Sequence, residues 1–399
     1  MKNERIHSLD SLRGIAAFVV IIFHIMLSFN IFYNADRNFE YENNFVKIIN
    51  ESPLHLFWGG NEAVLLFFVL SGFVLAIPFQ LGKAGSYSVF ITKRFFRIYL
   101  PYIAVMAISV VLTMIFFEYK DASGMSPAYD NRWNHAVTWQ AIIAYIFMIN
   151  YDTGNVNGVV WTLYHEMRFS IVMPLIMLIL MKYKPLKSLL ILGISVISFM
   201  VFAVAPYVLF GSNIYTILIR DFGFTAYYTL FFISGAFLSV YRKPIINWIA
   251  KLSTVSKLGL FILSMILISC KWLINIIPIK SSLLIYSPVA GIGILLLFVL
   301  VLASPKAEQI LTVRPLLFLG KISYSLYLVH MLVIMLLTIA FDQIGLRIWG
   351  FALSPFISIP VAYLAYKAFE LPAIKLGRYY GNKVQEIEKS RTRNKASIV

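Results

Sequence analysis

The sequence predicts an all-α integral membrane protein of about ten transmembrane helices with N-terminus and C-terminus both cytoplasmic. Three observations predict it. The 399 residues are 60% hydrophobic and only 13% charged, with a mean hydropathy of +0.80, more apolar surface than a soluble domain of this size can keep from water. Apolar runs of about 20 residues recur along the chain, the length a helix needs to cross a bilayer. Lys and Arg concentrate in alternate loops, those on the side of the N-terminus, while the opposite loops carry more acid than base. That bias orients helices with their basic loops inside.

The spans fall near 9–32, 62–80, 96–117, 158–181, 187–207, 222–241, 257–277, 282–303, 318–340 and 346–369. The first run is too long for a removable signal peptide and has no small-residue cleavage site, so it reads as a retained helix. None of the runs shows the ten-residue alternation of an outer-membrane barrel. A shorter run, 139–150 (WQAIIAYIFMIN), is too short to span and reads as interfacial or re-entrant. The longest loops, about 33–61 and 118–157, lie on the outer side, and neither is long enough for a second folded domain. The chain divides into a transmembrane domain, 1–372, and a basic cytoplasmic tail, 373–399, expected to be solvated and attracted to anionic headgroups. The net charge of +16 is scattered through short loops, which argues for membrane orientation and against nucleic acid. The single cysteine, Cys270, excludes an internal disulfide and suggests no thiol metal site. Internal repeats, a P-loop and a dinucleotide glycine motif are all absent from the sequence.

Ionisable groups in hydrocarbon are costly, so each one inside an apolar run marks a candidate site. Arg13 and His24 share the first run. Eleven steps of 100° leave them about 20° apart on one helix face and roughly 16 Å apart along the axis. Glu62 opens the second run, His165, Glu166 and Arg168 cluster in the fourth, and His330 sits in the ninth. By depth, His24, Glu166 and His330 can meet in one polar cavity. A histidine paired with a carboxylate is a natural general base for a hydroxyl; the same residues can instead hydrogen-bond helices together. Arg94 and Arg97, three apart on one face after Lys93, match the forked recognition of phosphate, although positive-inside anchoring also accounts for them. Ser71-Gly72 in LLFFVLSGFVL allows close helix approach, and Ser323, Tyr327 and His330 form a polar stripe with Tyr324 pointing elsewhere.

In order, SLDSLRG with Arg13 and His24, FFVLSGF at 67–73, Arg94-x-x-Arg97, WTLYHEMRFS at 161–170, GKISYSLYLVH at 320–330 and FELP at 369–372 resemble the acyltransferase-3 family of integral membrane O-acyltransferases. The resemblance covers essentially the whole chain. It implies transfer of an acyl group, usually acetyl, from cytoplasmic acyl-CoA as donor substrate to a hydroxyl of a cell-surface or lipid-linked glycan, with no permanently bound cofactor or metal, in a bacterial plasma membrane. It implies His24, as general base or as carrier of the acyl group, with Arg13 and Glu166 as catalytic residues, and Arg94, Arg97 and Arg13 as the acyl-CoA contacts. Ser71, Glu62, His165, Arg168, Tyr327 and His330 are then expected around the acceptor or the oxyanion. Many relatives carry an aspartate just before the LSGF motif, where this chain has Leu65 with Glu62 one turn earlier, and a second acid beside the fourth-helix glutamate, where it has His165. A different class also fits buried ionisable groups on ten helices: a proton-coupled secondary transporter or flippase. Against it stands the lack of matched halves with broken helices.

Overall fold

With no water in a bilayer core, every backbone N–H and C=O has to be satisfied within its own segment, and helices do this. The structure, a computed structural model, describes residues 6–210, 214–270 and 282–396, with side chains described outside 202–218, 220, 282–285 and 393–396. Each expected span overlaps a helix: α1 (His7–Met26), α2 (Gly60–Gln80), α3 (Tyr87–Phe116), α4 (Trp161–Lys182), α5 (Pro185–Phe210), α6 (Ile214–Ala250), α7 (Thr254–Ile268), α8 (Ser282–Ala303), α9 (Arg314–Asp342) and α10 (Arg347–Ala365), although the first span, expected to reach 32, ends at Met26 and a separate short helix, Asn30–Asn38, follows. Among the described residues, eight helices are long and apolar enough to cross a membrane, while Pro185–Val201 and Thr254–Ile268 are apolar but shorter. The end of the expected span 257–277 lies outside the described residues. The chain is thus an all-α, multi-pass membrane protein. Its outer faces agree: Ile171, Leu175 and Leu178 form an exposed apolar stripe on α4 at lipid-facing spacing.

Two close crossings hold the bundle. Gly72 of α2 and Gly235 of α6 lie against each other's helices; a Cβ on Gly72 would stand 1.9 Å from the carbonyl oxygen of Phe232. Gly14 of α1 and Gly320 of α9 do the same, with a Cβ on Gly320 falling 2.3 Å from the carbonyl oxygen of Asp10. Lipid gives helices no hydrophobic reason to associate, so close backbone approach through small residues supplies the packing. The second crossing matters most for function, because α1 carries Arg13 and His24 while α9 carries Tyr327 and His330.

Two regions differ from expectation. The 118–157 loop does not stay at the surface. Its short helices Pro127–Asp130, Trp139–Ile146 and Thr153–Asn157 sink into the bundle, where Tyr102 of α3 donates to the Tyr145 carbonyl at 2.7 Å and Asn157 Nδ2 donates to Leu328 O at 3.0 Å. The Tyr102 and Tyr164 hydroxyls meet at 3.1 Å, so α4 starts level with the middle of α3. Helix Trp139–Ile146 keeps Ala141 and Tyr145 buried and exposes Trp139 and Ile143, as a re-entrant element does. The basic segment after 372 is also not a loose solvated end. The chain leaves α10 through a π-helical turn, Tyr366–Glu370, into α11 (Leu371–Ala396). Ala373, Gly377 and Gly381, four apart, give α11 a smooth face that packs on Phe96 and Lys93 of α3, and Tyr380 stacks on Phe96.

Candidate active site

One cavity of about 1090 Å³ enters the bundle from the end where α1 begins and α2 ends. Its entrance is framed by His7, Arg242, Lys243, Lys321, Lys375 and Arg378, and farther in lie Arg13, Arg94, Arg97, Ser71 and Glu166. Its inner wall includes Phe67, Thr162, Tyr324 and Tyr327. Positive charge therefore dominates, with Asp10, Glu166 and Glu370 as the acidic lining groups. A volume at the upper end of small-molecule pockets, about 300–1,000 Å³, suits an extended, highly charged ligand.

The charges are held in a definite order. Arg94, 8% exposed, bonds Glu166 Oε1 through Nη2 at 2.9 Å and Ser170 Oγ through Nε at 3.1 Å. Ser71 Oγ lies 3.5 Å from the same Glu166 oxygen. Glu166 thus neutralises Arg94 and does not hydrogen-bond His24, contrary to the expectation of one shared cavity. The reason is depth: the sunken loop starts α4 so far into the bundle that Glu166 meets the first turns of α3. Tyr324 also differs from expectation. It lines the cavity and donates to Ile98 O at 2.7 Å, because Gly320, Ser323, Tyr324 and Tyr327 share one helix face.

Beyond the cavity's inner wall the histidines form a pair. The Tyr327 ring lies 5.9 Å from that of His330, and His330 lies 5.5 Å from His24, centroid to centroid. Tyr327 is locked by donating to Val159 O while accepting from Thr162 Oγ1, both at 2.9 Å. His330 is fully buried; its Nδ1 bonds Leu326 O at 3.1 Å, which assigns the proton to Nδ1 and leaves the lone pair on Nε2, an atom with no partner. His24, in the last turn of α1, accepts at Nδ1 from Arg132 Nη2 at 3.1 Å. A neutral His24 in this contact carries its proton on Nε2.

Arg132 was not legible as a site residue. It lies in the loop after Pro127–Asp130, is 7% exposed, and its Nη1 has no partner. Burial pushes its guanidinium down to about 10. Lys120 props the same loop, bonding the carbonyls of Tyr129, Asp130 and Arg132, and burial pushes its ammonium down to about 8. Glu370 belongs to the terminal FELP motif, and the π turn brings it to the cavity, where it accepts from Ser325 Oγ at 2.6 Å.

Two expected acceptor-site residues point elsewhere. His165 Nδ1 bonds Thr225 Oγ1 at 2.8 Å and packs among Trp161, Phe169 and Tyr228. Arg168 pairs with Asp221 at 2.7 Å and caps the Met148 carbonyl. Both face α6, since at about 100° per residue His165 lies about 100° and Arg168 about 200° round the helix from Glu166. Glu62 lies in the first turn of α2, outside the cavity lining. Among the described residues no group of three or more His, Cys, Asp or Glu is arranged to hold a metal ion.

Compared with known proteins, no curated protein and no solved structure matches the chain. The family whose domain is described as an acyltransferase domain matches residues 6–367. That match covers α1 through α10, with Arg13, Arg94, Glu166 and both paired histidines inside it and Lys375 and Arg378 beyond it. This multi-pass membrane protein therefore belongs to the acyltransferase-3 family and is a membrane acyltransferase.

Proposed function

We propose that the chain moves an acyl group, acetyl in the simplest case, from acyl-CoA to a hydroxyl of a cell-surface or lipid-linked glycan. The observation that carries this reading is the sequence of compartments: a cation-lined cavity open at one end of the bundle, ending one aromatic ring away from a histidine pair. In this reading the cavity opens to the cytoplasm of a bacterial cell and its mouth takes the phosphates of the donor. Of the three arginines farther in, Arg97 is the exposed one, and Arg13 and Arg94 are more buried. Arginine forks and lysine point charges both suit phosphate oxygens. The pantetheine arm then follows α1 toward Tyr327.

The acceptor hydroxyl meets the histidines from the other side. His330 Nε2 holds a free lone pair, and His24 becomes the base once Arg132 releases Nδ1; the two rings act as one proton-holding unit. The acceptor oxygen attacks the thioester carbon as its proton passes to the pair. The carbon–sulfur bond then breaks and the proton returns to the CoA thiolate. His24→Ala and His330→Gln remove different halves of the unit.

The test is release of CoA thiol from acetyl-CoA by the purified protein in detergent, with a glycolipid and polysaccharide extract as acceptor. Acceptor-dependent release by the wild type that drops at least 100-fold in both variants is expected. Full activity in His24→Ala would overturn the role of the pair. Absence of acetyl-CoA binding in the wild type would overturn the acyl-transfer reading of this chain and favour proton-coupled transport.

A further inference from the structure

Among the described residues the two most buried cations are Arg94 and Arg132; Arg94 is paired with Glu166, as the less buried Arg168 is with Asp221. Arg132 differs. Its guanidinium is 7% exposed, touches a neutral imidazole nitrogen through Nη2, leaves Nη1 without a partner, and is in ion pair with none of the described carboxylates. On the same loop Lys120 is another cation, held by backbone carbonyls, and the Asp130 carboxylate is exposed and forms no ion pair with Arg132. Burying an unpaired charge is costly, and such a group persists where a partner arrives from outside.

A second orphan sits across the same histidine. His330 Nε2 is a buried acceptor without a donor, while Arg132 Nη1 is a buried donor without an acceptor. Both flank His24, which is partly exposed. The two needs are opposite, and an anion placed on His330 Nε2 would meet a lone pair. They are met together by a ligand carrying an anionic group beside a hydroxyl. We infer that Arg132 forms an anion-binding subsite next to the histidine pair, and that the acceptor is an acidic one: the anionic group, a sugar carboxylate or a phosphate, pairs with Arg132 while the neighbouring hydroxyl donates to His330. Naming the ligand the acceptor rests on the proposed acyl transfer; the anion subsite does not.

The test uses the full chain in neutral detergent and measures binding of three probes: octyl glucuronide, decyl phosphate and, as the uncharged control, octyl glucoside. The wild type is expected to bind at least one charged probe ten-fold or more tightly than the control, and which one it prefers separates an acidic sugar from a phosphate. Arg132→Gln should bring that probe to the level of octyl glucoside, Arg132→Lys should keep part of the preference, and Lys120→Gln should keep most of it. Unchanged acetyl-CoA binding checks that each variant is folded. Equal binding of all three probes by the wild type, or a preference that survives Arg132→Gln, overturns the subsite. Arg132-dependent binding without any acyl transfer would leave the subsite standing and sink the acyltransferase reading of the ligand. Transfer with no charge preference would do the reverse.

Discussion

The crossing of α1 and α9 sets the distance between the groups that act together, and Gly320→Ala perturbs it directly. A Cβ there would lie 2.3 Å from the carbonyl oxygen and 2.4 Å from the carbonyl carbon of Asp10. Both are backbone atoms of a helix and cannot rotate aside. Ordinary contact begins near 3.4 Å, so the two helices have to part by about 1 Å, a strain typical of overpacking at about 1–3 kcal/mol. The same shift acts on the 5.5 Å contact between the His24 and His330 rings, and a misplacement of about 1 Å at reacting groups costs on the order of 100-fold in rate. Gly259→Ala is the control: no atom lies within 4 Å of its added methyl, and alanine is the better helix former by about 1 kcal/mol. Thermal unfolding in detergent and acceptor-dependent CoA release are measured on both. Gly320→Ala should unfold a few degrees lower and lose about two orders of magnitude in rate, while Gly259→Ala keeps both. A Gly320→Ala protein with wild-type rate and unfolding temperature would refute the close crossing and the geometry built on it.

Further outcomes follow from single groups. Arg97→Gln should raise KM for acyl-CoA about ten-fold with kcat little changed, the mark of lost uniform binding; a fall in kcat alone would remove Arg97 from the donor site. The Arg94–Glu166 pair should show coupling of about 1 kcal/mol or more in a double-mutant cycle of Arg94→Gln and Glu166→Gln read by thermal unfolding; additive effects would mean the two do not interact. The Asp121 carboxyl is held down to about 2 by hydrogen bonds from Ser123 and by Arg347. Because the folded value lies below the unfolded one, this tether is present above about pH 4 and is lost as pH falls toward 2. Pepsin cleavage near Asp121 should rise across that window in the wild type and be high throughout in Asp121→Asn; a flat wild-type profile would contradict the tether.

The spans were legible because lipid imposes one rule on every segment, a helix of some 20 apolar residues, and that rule acts locally. The shared face of Arg13 and His24 was legible for the same reason: 100° per residue needs no tertiary information. The same arithmetic separates Glu166 from His165 and Arg168, which adjacency in sequence had grouped as one cluster. Depth was harder. A fourth helix that starts at the outer surface puts Glu166 near the depth of His24; the 118–157 segment instead sinks to Tyr102 and Leu328, and no local pattern announces a buried loop. Arg132 is invisible on the same ground. In the string YDNRWNH it reads as one charge in a polar connection, and only the burial of that connection against His24 makes it a buried cation. The fit of α11 on α3 depends on the small face Ala373–Gly377–Gly381 finding a partner, which periodicity shows but cannot pair.

Electrostatics then divides the molecule along α1. At the Arg13 end, several cations face a wide, open cavity, and the deepest of them is neutralised by Glu166. Such a site can hold polyanions through several contacts at once, each weakened where water screens it. At the His24 end, the buried guanidinium of Arg132 has no carboxylate partner among the described residues, so its charge is poorly screened and any anion that reaches it is held by that one contact. The two ends are separated by roughly 16 Å of helix and by the Phe67 and Tyr327 rings, whose centroids are 5.6 Å apart. A ligand that binds through many phosphates belongs at the first end and one that binds through a single charge at the second. That asymmetry, more than the histidines alone, supports assigning donor and acceptor to opposite sides of the bundle.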